Sequence, residues 1–402
     1  MNKTDKKINI VHVGTSGVPH YKSAAINRCL GIYAIFNADE FKVLALNNRA
    51  MHLASEQEST LAVRGKFEHI HYLYTIPSPY KPTSFLKRRW FSFYGRMKEL
   101  STLFRLARKK EMDVMFFYPE GDFFELLAYR CISKLFTIPI ISHYVEYRTS
   151  FNHENFIERI NDRLFDKRFM FLSDGVIPIS EYLINHVKGR KKNIPMFKIP
   201  PLADFNFFDK IEKQEDTPNF LYVVSAQYFD PIKLMLDAFS LVKNNTYELR
   251  FVLHGSGIDR VKKEIDNHEK KGLIKVYSKL SYEALVQLYK NSSALLIPLS
   301  NSLKDEARFP QKISEYLASR NPIITTNFGE IKYYFKAYEN ALVAPEDTSD
   351  ALAKELNYVI EHPEKAQEIG NKGYETGRKY FDKLSHQEEL IKFTMDIINN
   401  KN

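Results

Sequence analysis

The stretch Ile8-Asn9-Ile10-Val11-His12-Val13-Gly14-Thr15-Ser16-Gly17 runs from a short β-rich segment straight into a glycine turn, and a helical pattern follows. The same order returns in the second half, where Leu249-Arg250-Phe251-Val252-Leu253 leads into His254-Gly255-Ser256-Gly257. A strand ending in glycines ahead of a helix opens a parallel α/β unit, because glycine allows the tight turn and a close backbone approach to a ligand. Working outward, Lys42–Leu46, Asp113–Tyr118, Ile138–Ser142 and Gly175–Ile179 read as further strands of the first half. Phe220–Ser225, Ile274–Tyr277, Ala294–Leu299 and Pro322–Thr325 join Leu249–Leu253 in the second. Helical patterns fill the gaps, the first over Ser23 to Phe36 with Ala25, Cys29, Ile32 and Phe36 at helical spacing. The expected fold class is α/β, two doubly wound Rossmann-like domains facing across a cleft, with ligands beyond the C-terminal strand ends.

The charged segment Phe205 to Asn219 has no apolar period and reads as a linker. It sets a first domain at 1–205 and a second at 206–384, leaving 385–402 as a last helix striped by Leu390, Phe393, Ile397 and Ile398. Before it, Ser349 or Asp350 is expected to cap a helix with Leu352, Leu356, Val359 and Ile360 on one face, stopped by Pro363.

A chain of 402 residues that is 44% hydrophobic and 27% charged can bury large cores, which excludes fibrous and disordered classes. Cys29 and Cys131 form no CxxC pair, Met1 to Lys7 is polar, and no uncharged run approaches the roughly 18 residues of a membrane span. A cytoplasmic location is expected. The formal charge of +9 is uneven: residues 1–205 carry 31 Lys and Arg against 20 Asp and Glu, and the remainder 27 against 29. Ten basic residues lie between Lys81 and Lys110 with Trp90 and several Phe among them and Glu99 as the one acid. Such a stretch suits an anionic membrane surface, reached peripherally from the cytoplasmic side; a solvated helix face over buried aromatics is the alternative. Nucleic acid is not expected as a partner, since no nucleic-acid motif accompanies the charge.

Neither glycine turn fits a GxGxxG fingerprint or a Walker loop, so Gly14 and Gly17, like Gly255 and Gly257, are candidates only for close approach to a ligand. The most informative segment is Arg308-Phe309-Pro310-Gln311-Lys312-Ile313-Ser314-Glu315-Tyr316-Leu317-Ala318. Pro310 suits the first position of a helix. Lys312 and Glu315, three apart, share one face, and Ile313 and Leu317, four apart, share another toward the core. That turn offers N–H groups and a cation to a diphosphate, and a carboxylate to vicinal sugar hydroxyls. A surface Lys/Glu pair is the plainer reading of the same spacing.

This segment, extended through Asn321-Pro322 to Glu330-Ile331, resembles the donor-site signature of GT-B glycosyltransferases related to glycosyltransferase family 4, in the variant F-P-x-K-x-x-E-Y-L-A. L-R-F-V-L-H-G-S-G, the stretch from Ile274 to Leu299 and I-G-N-K-G-Y near Ile369 follow in that family's order. The first-half G-T-S-G-V-P-H-Y-K-S-A-A-I-N-R resembles the loop and helix that face the acceptor, and V-I-P-I-S-E-Y-L the segment closing that domain. The resemblance implies that Glu315 holds the nucleotide ribose, that Phe309, Pro310 and Lys312 line the donor, and that Gly255 and Gly257 lie under the diphosphate. It implies that Tyr277 to Lys279 flank the base and that the last helix crosses back to the first domain. Retention of anomeric configuration, no bound metal or cofactor, and a UDP-sugar or GDP-sugar donor follow from the same resemblance.

Three departures stand out. Many relatives carry a second glutamate eight positions before the one matching Glu315; Ala307 is there, and Glu306 is one residue off. A usual Arg/Lys pair is missing from Ser225 to Pro231, leaving Arg308 and Lys312 to neutralise the diphosphate. The acceptor-side histidine of many relatives is expected near Val145, where His143 and Glu146 are the candidates; three residues apart, they point to opposite sides of a strand unless it has ended. The expected function is a retaining glycosyltransferase acting on a glycan or lipid-linked acceptor in surface polysaccharide or glycoconjugate synthesis. A non-catalytic nucleotide-sugar or glycan-binding subunit and a nucleotide-sugar epimerase are the alternatives.

Overall fold

Strand order decides where a ligand can sit in an open parallel sheet, and the six parallel strands of each half of this chain follow the same order. The computed structural model describes residues 7–21, 23–53, 61–119, 123–151 and 155–401; Lys22 of the acceptor-like loop and most of the polar N-terminal stretch lie outside them. Two units result, Met1–Ile199 with His386–Asn402, and Pro200–Ser385.

The first unit contains β1 (Ile8–Val13), α1 (Ala24–Tyr33), β2 (Phe41–Asn47), β3 (Arg64–Phe67), β4 (Ile70–Tyr74) and α2 (Phe85–Arg108). It continues with β5 (Val114–Phe117), α3 (Phe123–Phe136), β6 (Ile140–Tyr144), α4 (Phe156–Leu172), β7 (Gly175–Pro178) and α5 (Glu181–Lys188). Its sheet runs β3-β4-β2-β1-β5-β6-β7, parallel except for the β3–β4 edge pair. β1 is central, with Ile10 opposite Val43 on one side and Val114 on the other. β5 and β6 are buried along their whole length, as expected of parallel strands covered by helices on both faces. Ser23 and Ser180 cap α1 and α5 by accepting from the Ile26 and Leu183 amides.

The second unit holds α6 (Phe205–Asp209), β8 (Asn219–Ser225), α7 (Phe229–Ser240), β9 (Glu248–His254), α8 (Ile258–Asp266), β10 (Ile274–Tyr277), α9 (Tyr282–Asn291) and β11 (Ala294–Ile297). Then come α10 (Leu303–Ala307), α11 (Lys312–Ala318), β12 (Ile323–Thr326), α12 (Ile331–Tyr334), β13 (Leu342–Ala344), α13 (Ser349–Glu361) and α14 (Pro363–Tyr380). Its all-parallel order is β10-β9-β8-β11-β12-β13. A core of Phe220, Phe251, Leu296, Ile324 and their neighbours fills the space between sheet and helices. α15 (Gln387–Asn399) belongs to the first unit, where Leu390 is buried, Gln387 donates to the Ile35 carbonyl, and Lys401 just beyond the helix pairs with Asp174 at 2.5 Å.

Several expectations need correction. β3, β4 and β13 were not foreseen: β3 is a polar four-residue edge, β4 hides the alternation Ile70, Tyr72, Tyr74 behind a histidine, and β13 is three residues long. Phe205–Asp209 is no linker but a helix, started by the Asp204 carboxylate accepting from the Phe207 amide and anchored by buried Phe205 and Phe208. The division accordingly falls after Ile199, ahead of the expected residue 205. Thr348, not Ser349 or Asp350, caps α13, and Pro363 not only ends that helix but opens α14.

Candidate active site

In the second unit the crossovers leave β8 and β11 in opposite directions, and such a switch point opens a crevice beyond the C-terminal ends of the two strands. After β8 the chain turns through Ala226, Gln227 and Tyr228; after β9 it turns through Gly255 to Gly257. The turns are joined, since the Ala226 amide donates to the His254 carbonyl and the Gln227 side chain to Ser256 Oγ, each at 2.9 Å. Gly255 and Gly257 both have left-handed φ, +81° and +96°, and a Cβ on Gly257 would lie 3.2 Å from the Ala226 carbonyl oxygen.

Lys312 and Glu315 stand at the start of α11. Glu315 is buried, so the plainer reading as a surface ion pair is overturned. Its Oε1 accepts from the Tyr282 hydroxyl at 3.4 Å and its Oε2 from the Tyr289 hydroxyl at 3.2 Å. Burial pushes the Glu315 carboxyl above its ordinary range, opposed by the Lys312 ammonium and both tyrosines. Burial pulls the Lys312 ammonium down, with Glu315 opposing and Arg308 adding to the effect. Desolvation and, after it, the Lys312 charge lower the His254 imidazole at the end of β9. Ile313 and Leu317 pack into the core as the spacing required.

The remaining candidates of this unit have the following surroundings. Arg308 donates from Nε to Asp305 Oδ1 at 2.7 Å and from Nη1 to the Tyr228 hydroxyl at 3.3 Å. Asp305 is itself buried and accepts from Ser300 through both backbone and hydroxyl, so the charge assigned to a diphosphate is already balanced. Phe309 is buried against Tyr334 and Phe381. Pro310 precedes α11 by two residues and accepts from the Ile313 amide instead of opening the helix. Glu306 is held by Lys332 at 2.6 Å and by the Gly329 amide at 3.0 Å. Lys279 is exposed, with φ +54°, between β10 and α9.

In the first unit the switch point lies between β1 and β5. Gly14 and Gly17 turn the chain there with φ +99° and +104°, and a Cβ on Gly14 would collide with the Tyr118 carbonyl. Asn47, at the end of β2, holds the turn by accepting from the Gly17 and Val18 amides and donating to the Val18 carbonyl. Next to it Asn48 Nδ2 donates to Glu99 and to Glu125, each at 2.7 Å, and the Tyr129 hydroxyl donates to Glu99. Burial, followed by repulsion from Glu125, pushes the Glu99 carboxyl up to about 8.

His143 and Glu146 do not share an environment. His143 sits within β6, fully buried among Phe116 and Tyr118, and among the described residues both ring nitrogens lack a hydrogen-bond partner. Burial, reinforced by Arg28 and His12, holds it well below the usual histidine range, so it is neutral. Glu146 lies beyond the strand end and is exposed. His12 and Arg28, which sequence reasoning passed over, are buried near His143: His12 contacts the Tyr33 hydroxyl at 2.5 Å and is pulled to about 3 by burial, and Arg28 donates to the Ile199 carbonyl. Also passed over were Tyr282 and Tyr289, although their seven-residue spacing puts both on one face of α9.

Two Rossmann-like parallel-sheet units in one chain are the GT-B fold, and solved structures of that fold superpose on nearly all of it. Sucrose-phosphate synthase from Thermosynechococcus elongatus matches with a TM-score of 0.76 at 14% identity, covering 98% of this chain and 100% of its own. A glycosyltransferase from Rickettsia africae gives 0.70 at 15% identity, covering 98% and 99%. Anabaena HepE in complex with UDP-glucose gives 0.69 at 14%, covering 97% and 100%. Residues 204–376 match the family model of glycosyl transferases group 1, a span that includes the turns after β8 and β9, Lys312 and Glu315. No curated protein matches the chain in sequence.

Proposed function

We propose that this chain is a retaining, metal-independent glycosyltransferase that takes its sugar from a UDP-sugar or GDP-sugar and passes it to a glycan or lipid-linked acceptor at the cytoplasmic face of a membrane. The observation that carries the reading is the Lys312–Glu315 pair: a buried carboxylate held by two tyrosine hydroxyls, one helical turn from a desolvated ammonium, within the span that matches glycosyl transferases group 1. Glu315 accepts from the ribose hydroxyls, which replace the long contact to Tyr282. Lys312 and the amides of Gly255 to Gly257 meet the diphosphate, whose charge grows as the glycosidic bond to the sugar breaks; donors already oriented toward developing charge lower the barrier without reorganising. Gly14 and Gly17 shape the turn at the switch point of the first unit, beside which the acceptor would lie, their own Cβ positions being filled by Tyr118, Phe117 and Tyr21. His143 stays neutral in the core, packed against Phe116 and Tyr118.

The internal pairing of Arg308 with Asp305 and of Glu306 with Lys332 favours a second reading, a subunit that binds a nucleotide sugar without turning it over. A thermal-shift screen with UDP, GDP, ADP and CMP, followed by donor hydrolysis with the matching nucleotide sugars, separates the cases. Stabilisation by one nucleoside diphosphate with release of sugar supports transfer. Stabilisation without hydrolysis or transfer supports the binding subunit, and no stabilisation by any nucleotide refutes both.

A further inference from the structure

The longest helix of the first unit presents an apolar stripe to solvent. At about 100° per residue, Leu86, Trp90, Phe93, Met97 and Phe104 of α2 fall within an arc of about 60°. Their exposures run from 44% at Phe104 to 77% at Leu86. The side of α2 that packs on the protein is a different one, formed by Gly95, Glu99, Thr102, Leu103 and Ala107. Covering an inward face does not account for the stripe.

Charge borders the stripe on both edges. Arg89 lies along one, and Lys87, Lys98 and Arg105 form a ridge along the other, all exposed. The single acid of the helix, Glu99, is turned inward and buried. α3 packs beside α2, with Phe104 edge-on to Phe136 at 5.1 Å, and extends the apolar surface through exposed Phe124, Leu127 and Leu135. Among the described residues no helix is long and apolar enough to cross a membrane.

We propose that α2, with the adjoining face of α3, docks in the interface of an anionic phospholipid bilayer, with the apolar stripe among the upper acyl chains and the flanking Lys and Arg at the headgroups. An apolar stripe edged by cations and free of exposed acid is the pattern of a helix lying in the plane of such an interface. Charge selects this occupant over a second copy of the chain: a two-fold contact through this face would set the same cations against one another. It also selects an anionic over a zwitterionic surface, since the cations add attraction only near negative lipid. The proposal does not rest on the reading of the donor site.

Trp90 is the only tryptophan of the chain and is half exposed within the stripe, so its emission reports directly on burial. The experiment mixes the full-length protein with phosphatidylglycerol or phosphatidylcholine vesicles at low and high salt, and records sedimentation and Trp90 emission. The expected result is co-sedimentation with a blue shift on phosphatidylglycerol alone, weakened by salt. Removing one aromatic side chain from the acyl-chain layer, Phe93→Ser should lower partitioning by about tenfold. The triple change Lys87→Glu, Lys98→Glu and Arg105→Glu should abolish it. These positions are exposed, and unchanged circular dichroism would show that the variants fold. E315Q should dock like the parent, which keeps failure of docking apart from failure of the donor-site reading. No association with phosphatidylglycerol at low salt overturns the proposal. So does association without a Trp90 shift and indifferent to Phe93→Ser, which would be adsorption by charge, and so does a dimer in sedimentation that Phe93→Ser makes monomeric.

Discussion

Replacing Glu315 by glutamine tests the centre of the donor-site argument while sparing the fold. Alanine would leave the Tyr289 hydroxyl buried without its partner, at a cost of about 1–3 kcal/mol, and mix a folding defect with a binding one. Glutamine keeps the shape and an acceptor for Tyr289, and relieves the desolvation that pushes the carboxyl upward. What it removes is the charge that a ribose hydroxyl would meet. Hydrogen bonds to charged groups contribute about 1.5–3 kcal/mol and neutral ones about 0.5–1.5, so the exchange should cost about 1–1.5 kcal/mol. That is about five- to twelvefold in Kd. Titration calorimetry with the nucleoside diphosphate found in the screen and with its 2′,3′-dideoxy analogue reads this out. The variant should lose affinity for the ribonucleotide and bind the dideoxy compound as the parent does. Equal affinity of parent and variant for the ribonucleotide, or an equal loss for both ligands, refutes the assignment of Glu315 to the ribose.

Three further outcomes follow from the geometry. Lys312→Met keeps the apolar stem, so binding of the nucleoside diphosphate should fall by about 1.5–3 kcal/mol while binding of the nucleoside is unchanged; in the parent, diphosphate affinity should drop as pH rises toward the lowered Lys312 pKa, and a flat profile between neutral and alkaline pH would contradict its role. Because Glu99 holds its proton up to about 8 in the folded state against an ordinary value of 4.5, the folded chain binds more protons than the unfolded one over that interval, and its contribution to stability is lost as pH rises from about 4.5 to about 8; urea denaturation should show Glu99→Gln with a shallower decline there than the parent, and identical profiles would count against a buried neutral carboxyl. Gly14→Ala should destabilise the first unit by about 2–5 kcal/mol, from a left-handed φ and a collision with the Tyr118 carbonyl, and a shift in urea midpoint too small to measure would refute the turn geometry.

Sequence by itself determined the architecture, because the signals of a parallel sheet are local. Continuous apolar runs such as Val114–Phe117 and Ala294–Ile297, each followed by a turn and a helical period, identify buried strands wherever they fall. The shared face of Lys312 and Glu315 was also local, being a matter of helical spacing. Tertiary structure alone decided which charges are available. Arg308, Glu306 and Glu315 look alike in sequence as charged residues of one short segment. Arg308 is balanced by Asp305 and Glu306 by Lys332, whereas Glu315 accepts hydrogen bonds from the hydroxyls of Tyr282 and Tyr289 on another helix. The same holds for His143, a candidate base by residue type that the packing of Phe116 and Tyr118 seals into the core, and for Trp90, whose neighbours on α2 could equally have faced inward. Spacing along the chain sets which side chains share a face, but burial and pairing depend on what the rest of the chain brings against that face, and those contacts join residues far apart in sequence.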